Sequence, residues 1–323
     1  MTEDPSTVFP LDVDRVSKQF GEFHAVSDLT LRLKSGSICG FLGPNGAGKT
    51  TTIRMILGIL QPNSGHISIL GKSSALEVRD RVGYLPEEKG LYKKMKCWAV
   101  VAYFASLKGM SRNKARARAY ELLETYGLGD FADKPTESLS KGLGQKVQVL
   151  ASIAHDPEFV ILDEPFSGLD PVNQEVMESI IRDMAKGGRT ILFSTHIMEH
   201  AERLCDRIVL MSQGRKVFDG TVLDAKRQLP RSVLICTTHD VSSLKTLPGV
   251  MELRSRDPSQ CDKALPIQGQ WEVVIAESTD PQSILHHCFM HEIVLNRFQQ
   301  TEPSLHDVFV HLVGPAGKEA SFR

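Results

Sequence analysis

The chain has 323 residues, with 38 basic against 39 acidic side chains and a net charge of −1; the length suggests about two domains with a sizeable core, and the balanced charge gives no electrostatic reason to expect nucleic acid as the main partner. The longest lipid-like stretch, Cys97 to Leu107, falls short of the roughly 20 apolar residues that a bilayer span needs. Thr2 to Ser6 is polar and acidic where a signal peptide would need an apolar run, so none is expected.

In chain order, residues 1–10 read as a loose leader. Leu11 to Val16 alternates like a strand, Phe20-Gly21 stands near a turn, and Val26 to Leu33 alternates again before Lys34-Ser35-Gly36. An aromatic at Phe20 can stack on a nucleobase, although taken alone a core phenylalanine is the simpler reading. Ile38 to Leu42 is a short apolar run, and Thr51 to Leu60 carries Ile53, Ile56, Leu57 and Leu60 at helical spacing. Between them lie Gly43, Pro44, Asn45, Gly46, Ala47, Gly48, Lys49 and Thr50, which fit the pattern Gly, four residues, Gly-Lys-Thr that cradles phosphates. The glycines let backbone N–H groups approach phosphate oxygens, and the helix N-terminus adds its positive dipole end. Lys49 is expected to reach the β- and γ-phosphates of a nucleotide, and Thr50 to hold Mg²⁺ through its hydroxyl.

Pro62 to Gly65 is a turn, His66 to Leu70 a strand, and Val82 to Glu88 a strand that breaks into a loop. Cys97 to Leu107, Ser111 to Tyr126 and Gly144 to His155 read as helices, a mostly helical section over about residues 90–155. The basic residues Lys114, Arg116 and Arg118 read as a solvated helix face. Phe159 to Leu162 is a continuous apolar run, as a strand buried on both faces of a parallel sheet should be. It delivers Asp163 and Glu164 to its carboxyl end, where open α/β sheets place their chemistry; Asp163 suits the Mg²⁺ shell, and Glu164 the polarising of an attacking water. Ile191 to His196 is another buried strand ending in a polar residue. His196 to His200 also fits the zinc-protease pattern His-x-x-Glu-His, but His196 closes a strand, so zinc is not expected; His287 and His291 read as surface histidines. The six cysteines (Cys39, Cys97, Cys205, Cys236, Cys261, Cys288) show no Cys-x-x-Cys spacing and read as reduced cytoplasmic thiols.

From Leu11 to Gly220 the order of these pieces resembles the ATP-binding subunits of ABC transporters. Phe20 is similar to that family's adenine-stacking aromatic, and residues 43–51, through Thr51, to its ATP-binding loop. Tyr84-Leu85-Pro86-Glu87 resembles the loop that turns a glutamine towards Mg²⁺ and the γ-phosphate. Leu139, Ser140, Lys141, Gly142 and Leu143 resemble the family signature, Asp163 and Glu164 the second nucleotide motif and catalytic carboxylate, Ser167, Gly168, Leu169 and Asp170 the loop across the dimer, and His196 the γ-phosphate switch histidine. The resemblance implies a phosphate-loop α/β core with a helical subdomain, hydrolysis of ATP with Mg²⁺, and a head-to-tail dimer holding two ATP between the phosphate loop of one subunit and the signature of the other. One phosphate loop per chain means that a second ATP-binding subunit, expected to be a second copy, completes the dimer. The usual partner is an integral-membrane permease, which would hold the subunit on the inner face of the plasma membrane. Two departures stand out: Lys141 and Leu143 replace a glycine and a glutamine of the signature, and Glu87 stands where glutamine is usual, as in some exporter ATPases. A carboxylate there can bind Mg²⁺ directly, and it adds negative charge near the γ-phosphate.

The ATP-binding domain is expected over residues 11–222, a linker over 223–230, an accessory domain over 231–313 and a tail over 314–323. The accessory domain reads strand (Val233 to Thr238), helix (Ser242 to Leu247), strand (Val250 to Ser255), strand (Trp271 to Ala276), helix (Pro281 to His291), strand (Ile293 to Phe298), the ferredoxin-like split order. Pro303 to Phe309 resembles the closing helix of exporter ATPases with a C-terminal extension. The expected function is to drive export through a separate permease; the alternative is an ABC ATPase acting on ribosomes or DNA, which usually carries two cassettes or long coiled-coil arms.

Overall fold

The computed structural model describes residues 9–88, 90–255 and 269–314; most of the expected leader and tail, and Cys261, lie outside the described residues. The chain forms two compact units, the first running to Val222 and the second covering Leu223–Leu312.

The first unit opens with a hairpin of β1 (Leu11–Phe20) and β2 (Phe23–Leu33), and β4 (Ser64–Ile69) completes an antiparallel sheet in the order β2-β1-β4, with β3 (Ile38–Leu42) lying elsewhere. β1 runs further than its alternation predicts because its ladder shifts register between Val13 and Gln19. Bulges of this kind break the period of two without ending the hydrogen bonding. β5 (Val82–Leu85), β6 (Phe159–Asp163), β7 (Thr190–Thr195), β8 (Arg207–Ser212) and β9 (Arg215–Gly220) join β3 in a six-stranded sheet. Its order is β5-β6-β7-β3-β8-β9, parallel except for β9. β3, β6 and β7 are buried along their whole length, which is why each carries an apolar run, Ile38 to Leu42, Phe159 to Leu162 and Ile191 to Phe193. Leu11, Val13, Leu29 and Leu31 from the smaller sheet pack with Phe41, Phe159 and Ile161 from the larger one in a single core.

Helix α1 (Lys49–Ile56) follows the glycine-rich loop. It stops before the expected Leu60 because Gly58 takes a left-handed conformation, φ 70°, just past its end. Helices α2 (Cys97–Leu107), α3 (Arg112–Thr125) and α4 (Lys141–Ile153) form the helical section. α4 starts three residues ahead of the expected Gly144, since the Ser140 hydroxyl caps it by accepting from Leu143 N at 3.3 Å. Gly142 therefore sits within the first helical turn rather than before it. α5 (Pro171–Lys186) and α6 (Met198–Leu204) follow β6 and β7. Among the described residues no helix is long and apolar enough to cross a membrane.

The expected linker holds a short helix, α7 (Val222–Lys226). In the second unit β10 (Arg231–Cys236), β11 (Val250–Ser255), β12 (Gln270–Ile275) and β13 (Arg297–Thr301) form an antiparallel sheet in the order β11-β12-β10-β13. α8 (Gln282–Met290) and a 3₁₀ turn at Ser242–Thr246 cover its core of Val233, Ile235, Val273 and Ile275, and α9 (Leu305–Val313) ends the described chain. That sheet order is the one a split β-α-β-β-α-β unit produces. β13 starts at Arg297 rather than the expected Ile293: Ile293 N bonds Cys288 O at 2.9 Å, closing the turn after α8, and the strand itself is a polar edge.

Candidate nucleotide site

The register of the large sheet gathers the site. Asp163 pairs with Ser194 between β6 and β7, and Leu42 with Thr195 between β3 and β7, so three strands end level beside the glycine-rich loop. In that loop Gly43 has φ 152° and Gly48 φ 99°. A Cβ on Gly43 would lie 2.3 Å from Met211 O, and one on Gly48 2.5 Å from Ala25 O, so backbone packed behind the loop admits only glycine there. Lys49, 6% exposed, donates from Nζ to Gly43 O at 2.7 Å and to Pro44 O at 3.2 Å, with Glu164 Oε1 3.8 Å away. Burial pulls its ammonium below the ordinary value, against the opposing charges of Glu164, Asp163 and Glu87. Asn45, Gly46, Ala47, Gly48, Lys49, Thr50 and Thr51 line an open cleft of about 300 Å³ with Phe23, Ala25, Glu87 and Glu164.

Asp163 is buried, accepting from Ser194 Oγ on Oδ1, while its Oδ2 is buried without a partner. Glu164 is a non-glycine residue at φ 50°, a conformation that persists only where the surroundings fix it. Its N–H is held by Ser194 Oγ at 3.1 Å and Ser194 O at 3.2 Å, and its Oε2 lies 3.0 Å from His196 Nδ1. Lys49, Glu87, the adjacent pair Asp163 and Glu164, and His196 are thus brought together from four separate stretches of the core. Phe20 is half exposed at the end of β1 with the Lys18 ammonium 5.3 Å from its ring centre; its cross-strand partner Phe23 is the hairpin aromatic that lines the cleft. His196 lies just past β7 and His200 lies buried on α6, so the two ends of the zinc-like pattern sit in different surroundings.

Ser140, Lys141, Gly142 and Leu143 are not among the residues that line this cleft. Lys141 and Gly142 pack instead against the segment that follows Glu164 in the same chain. The end of the Lys141 side chain lies on Gly168, where a Cβ would stand 2.7 Å from Nζ; a Cβ on Gly142 would stand 2.9 Å from Asn173 Nδ2. Asp170 caps α5, accepting from Asn173 N at 3.0 Å and from Asn173 Nδ2 at 2.5 Å, and these bonds hold its carboxyl below the usual range. Ser167 N bonds Glu164 O at 3.1 Å and Leu169 N bonds Phe166 O at 3.2 Å, which winds the segment into a tight turn. Ser194 and Phe23 escape the sequence reading; Ser194 carries the clearer signal, a hydroxyl inside an otherwise apolar buried strand.

Residues 26–167 match the ABC transporter family, and residues 220–313 match the C-terminal domain of DrrA1-3-like ATP-binding proteins. An uncharacterised ABC transporter ATP-binding protein, YhaQ, of Bacillus subtilis (strain 168) is 38% identical over 305 residues, covering 94% of this chain and 98% of that protein. The Nod factor export ATP-binding protein I of Burkholderia pseudomallei (strain K96243) is 33% identical over 316 residues, covering 95% of this chain and 98% of the relative. A solved structure described as the ATP binding subunit of an ABC transporter is 33% identical with a TM-score of 0.62, covering 68% of this chain and 92% of the other.

Proposed function

Since the chain belongs to the ATP-binding subunits of ABC transporters, which hydrolyse ATP, we propose that it dimerises around two ATP molecules and drives export through a separate integral-membrane permease. The full-length likeness to a Nod factor export subunit supports export rather than import, and these relatives lend nothing to the reading on ribosomes or DNA. Two copies of this chain form the dimer, each phosphate loop facing the partner's Ser140 to Leu143, and the permease holds them at the inner face of the plasma membrane.

The observation that carries the catalytic reading is the fixing of Glu164. Its carboxylate rests against His196 and near Lys49, while Ser194 holds its backbone in a conformation the residue would not otherwise keep. Glu164 takes up proton charge from the attacking water, and His196 orients that carboxylate and senses the γ-phosphate. Lys49 turns from the carbonyls of Gly43 and Pro44 to the β- and γ-phosphates. Gly46 and Gly48 supply N–H groups to the phosphates, and Phe20 stacks on the base. Thr50, Asp163 and Glu87 would hold Mg²⁺, which would supply charge neutralisation for the phosphates. The partnerless oxygen of Asp163 supports this donor set, since a hard cation takes oxygen ligands.

Replacing Glu164 with Gln tests the reading. Turnover should fall by about 100-fold or more, because general-base contributions are of that order, while ATP affinity stays and ATP-dependent dimers accumulate on a sizing column. Persistent turnover, with only monomer in the presence of ATP and Mg²⁺, would show that Glu164 is not the base.

A further inference from the structure

Phe166 stands two residues past Glu164 with its ring buried. That ring lies flat against the imidazole of His200, the centroids 4.0 Å apart and the planes within 14°, and meets Phe193 edge-on at 5.9 Å. His200, itself 2% exposed, is fixed in turn: Arg203 Nη2 donates to its Nδ1 at 3.0 Å, and Glu178 Oε1 lies 3.6 Å from the same nitrogen. Glu178 is buried but paired with Arg203 at 2.7 Å and Arg182 at 3.4 Å, so its charge is answered without a proton on the ring. Burial and Arg203 both lower the His200 pKa, in keeping with a neutral imidazole that accepts at Nδ1.

His200 lies only four residues past His196. One short stretch of chain, the entry to α6, therefore sets His196 against the Glu164 carboxylate and His200 against the ring that follows it. A second hold comes from α4, where Gln145, 2% exposed, donates from Nε2 to Pro165 O at 3.2 Å. Glu164 needs such holds, because its left-handed backbone is costly for a residue with a side chain.

We propose that His200 is a positioning residue for ATP hydrolysis: its ring clamps Phe166, and through Pro165 keeps the Glu164 carboxylate against His196. The inference rests on the reading of Glu164 as the base. Residues that hold a reacting group in place act on kcat, since small displacements cost rate without touching substrate binding.

The test is steady-state ATP hydrolysis by the purified full-length chain, with ATP affinity measured separately. His200→Ala should lower kcat about ten-fold or more and leave the KM for ATP within about two-fold. His200→Phe, which restores a ring on Phe166, should recover most of the loss. Phe166→Leu should lower kcat as well, and the His200→Ala, Phe166→Leu double variant should be no worse than the poorer single one, because both changes break one contact. Wild-type kcat in His200→Ala, additive losses in the double variant, or a fall in kcat with a matching rise in KM that His200→Phe does not mend would each overturn the proposal. Glu164→Gln runs alongside. If that variant still turns over, the reading of Glu164 fails and the inference with it; if it is inactive while His200→Ala is not, only the inference fails.

Discussion

Ser194→Ala is the most informative single perturbation, because this hydroxyl serves both carboxylates of the site. It is fully buried, donates to Asp163 Oδ1 and accepts from Glu164 N at 3.1 Å. Removing it adds no volume and leaves the Glu164 amide its bond to Ser194 O at 3.2 Å, so the loss falls mainly on Asp163. With Oδ2 already partnerless, Asp163 would then keep two buried oxygens without a donor. A hydrogen bond to a charged group contributes about 1.5–3 kcal/mol, so we expect about 2 kcal/mol less stability without nucleotide. For a unit of this size that is a Tm lower by about 4–8 °C. The assay is a thermal melt with and without ATP and Mg²⁺, in a Glu164→Gln background so that the nucleotide survives. A cation bound at Asp163 replaces the missing donor as a source of positive charge, so the Tm deficit should shrink by half or more when both are present. A Tm within about 1 °C of the parent would refute the assigned role of the hydroxyl, and a deficit that ignores nucleotide and Mg²⁺ would refute Asp163 as the metal ligand.

Three further outcomes are expected. Glu87→Ala should slow turnover more than it weakens ADP, because only ATP carries the γ-phosphate that Glu87 is assigned to serve; equal losses in both would indicate a fold defect. Phe20→Ala should weaken ATP about five-fold or more, the low end of what one base–aromatic stack contributes, and if Phe23→Ala alone does so, the base stacks on the other strand of the hairpin. His155 titrates at about 4, pulled down from 6.5 chiefly by burial and by Lys108, while its Nε2 donates to Val82 O at 3.2 Å. A lowered histidine pKa means that the unfolded chain binds the proton more readily, so this stability is full above pH 6.5 and is lost as pH falls towards 4. After a discount for partial exposure the loss at pH 5 is about 1–2 kcal/mol, and in thermal melts His155→Gln should lose less Tm between pH 7.5 and 5 than the parent does; identical slopes would contradict the linkage.

The phosphate loop and the Asp163-Glu164 pair are legible in the sequence because their chemistry needs adjacent residues on a strand, a turn and a helix start, which a local pattern can express. The contacts that hold the site together are not local. Ser194 reaches Asp163 only because β6 and β7 are neighbours in register, and that strand order is written nowhere in either strand. The same limit hides His200 beneath Phe166 and Gln145 beneath Pro165, where an aromatic and an amide on separate helices look like ordinary core and surface residues. The start of α4 is missed for a different reason. Gly142 and Gly144 argue against a helix by propensity, yet Gly142 is where α4 meets Asn173 of α5, and a Cβ there would come within 2.9 Å of the Asn173 amide nitrogen. Gly168 repeats the argument under the Lys141 side chain, with φ 70° as a second reason for glycine. The residues that make this stretch look like a loop are therefore the ones that let the capped helix pack against the segment following Glu164, so weak local propensity here marks close packing rather than disorder.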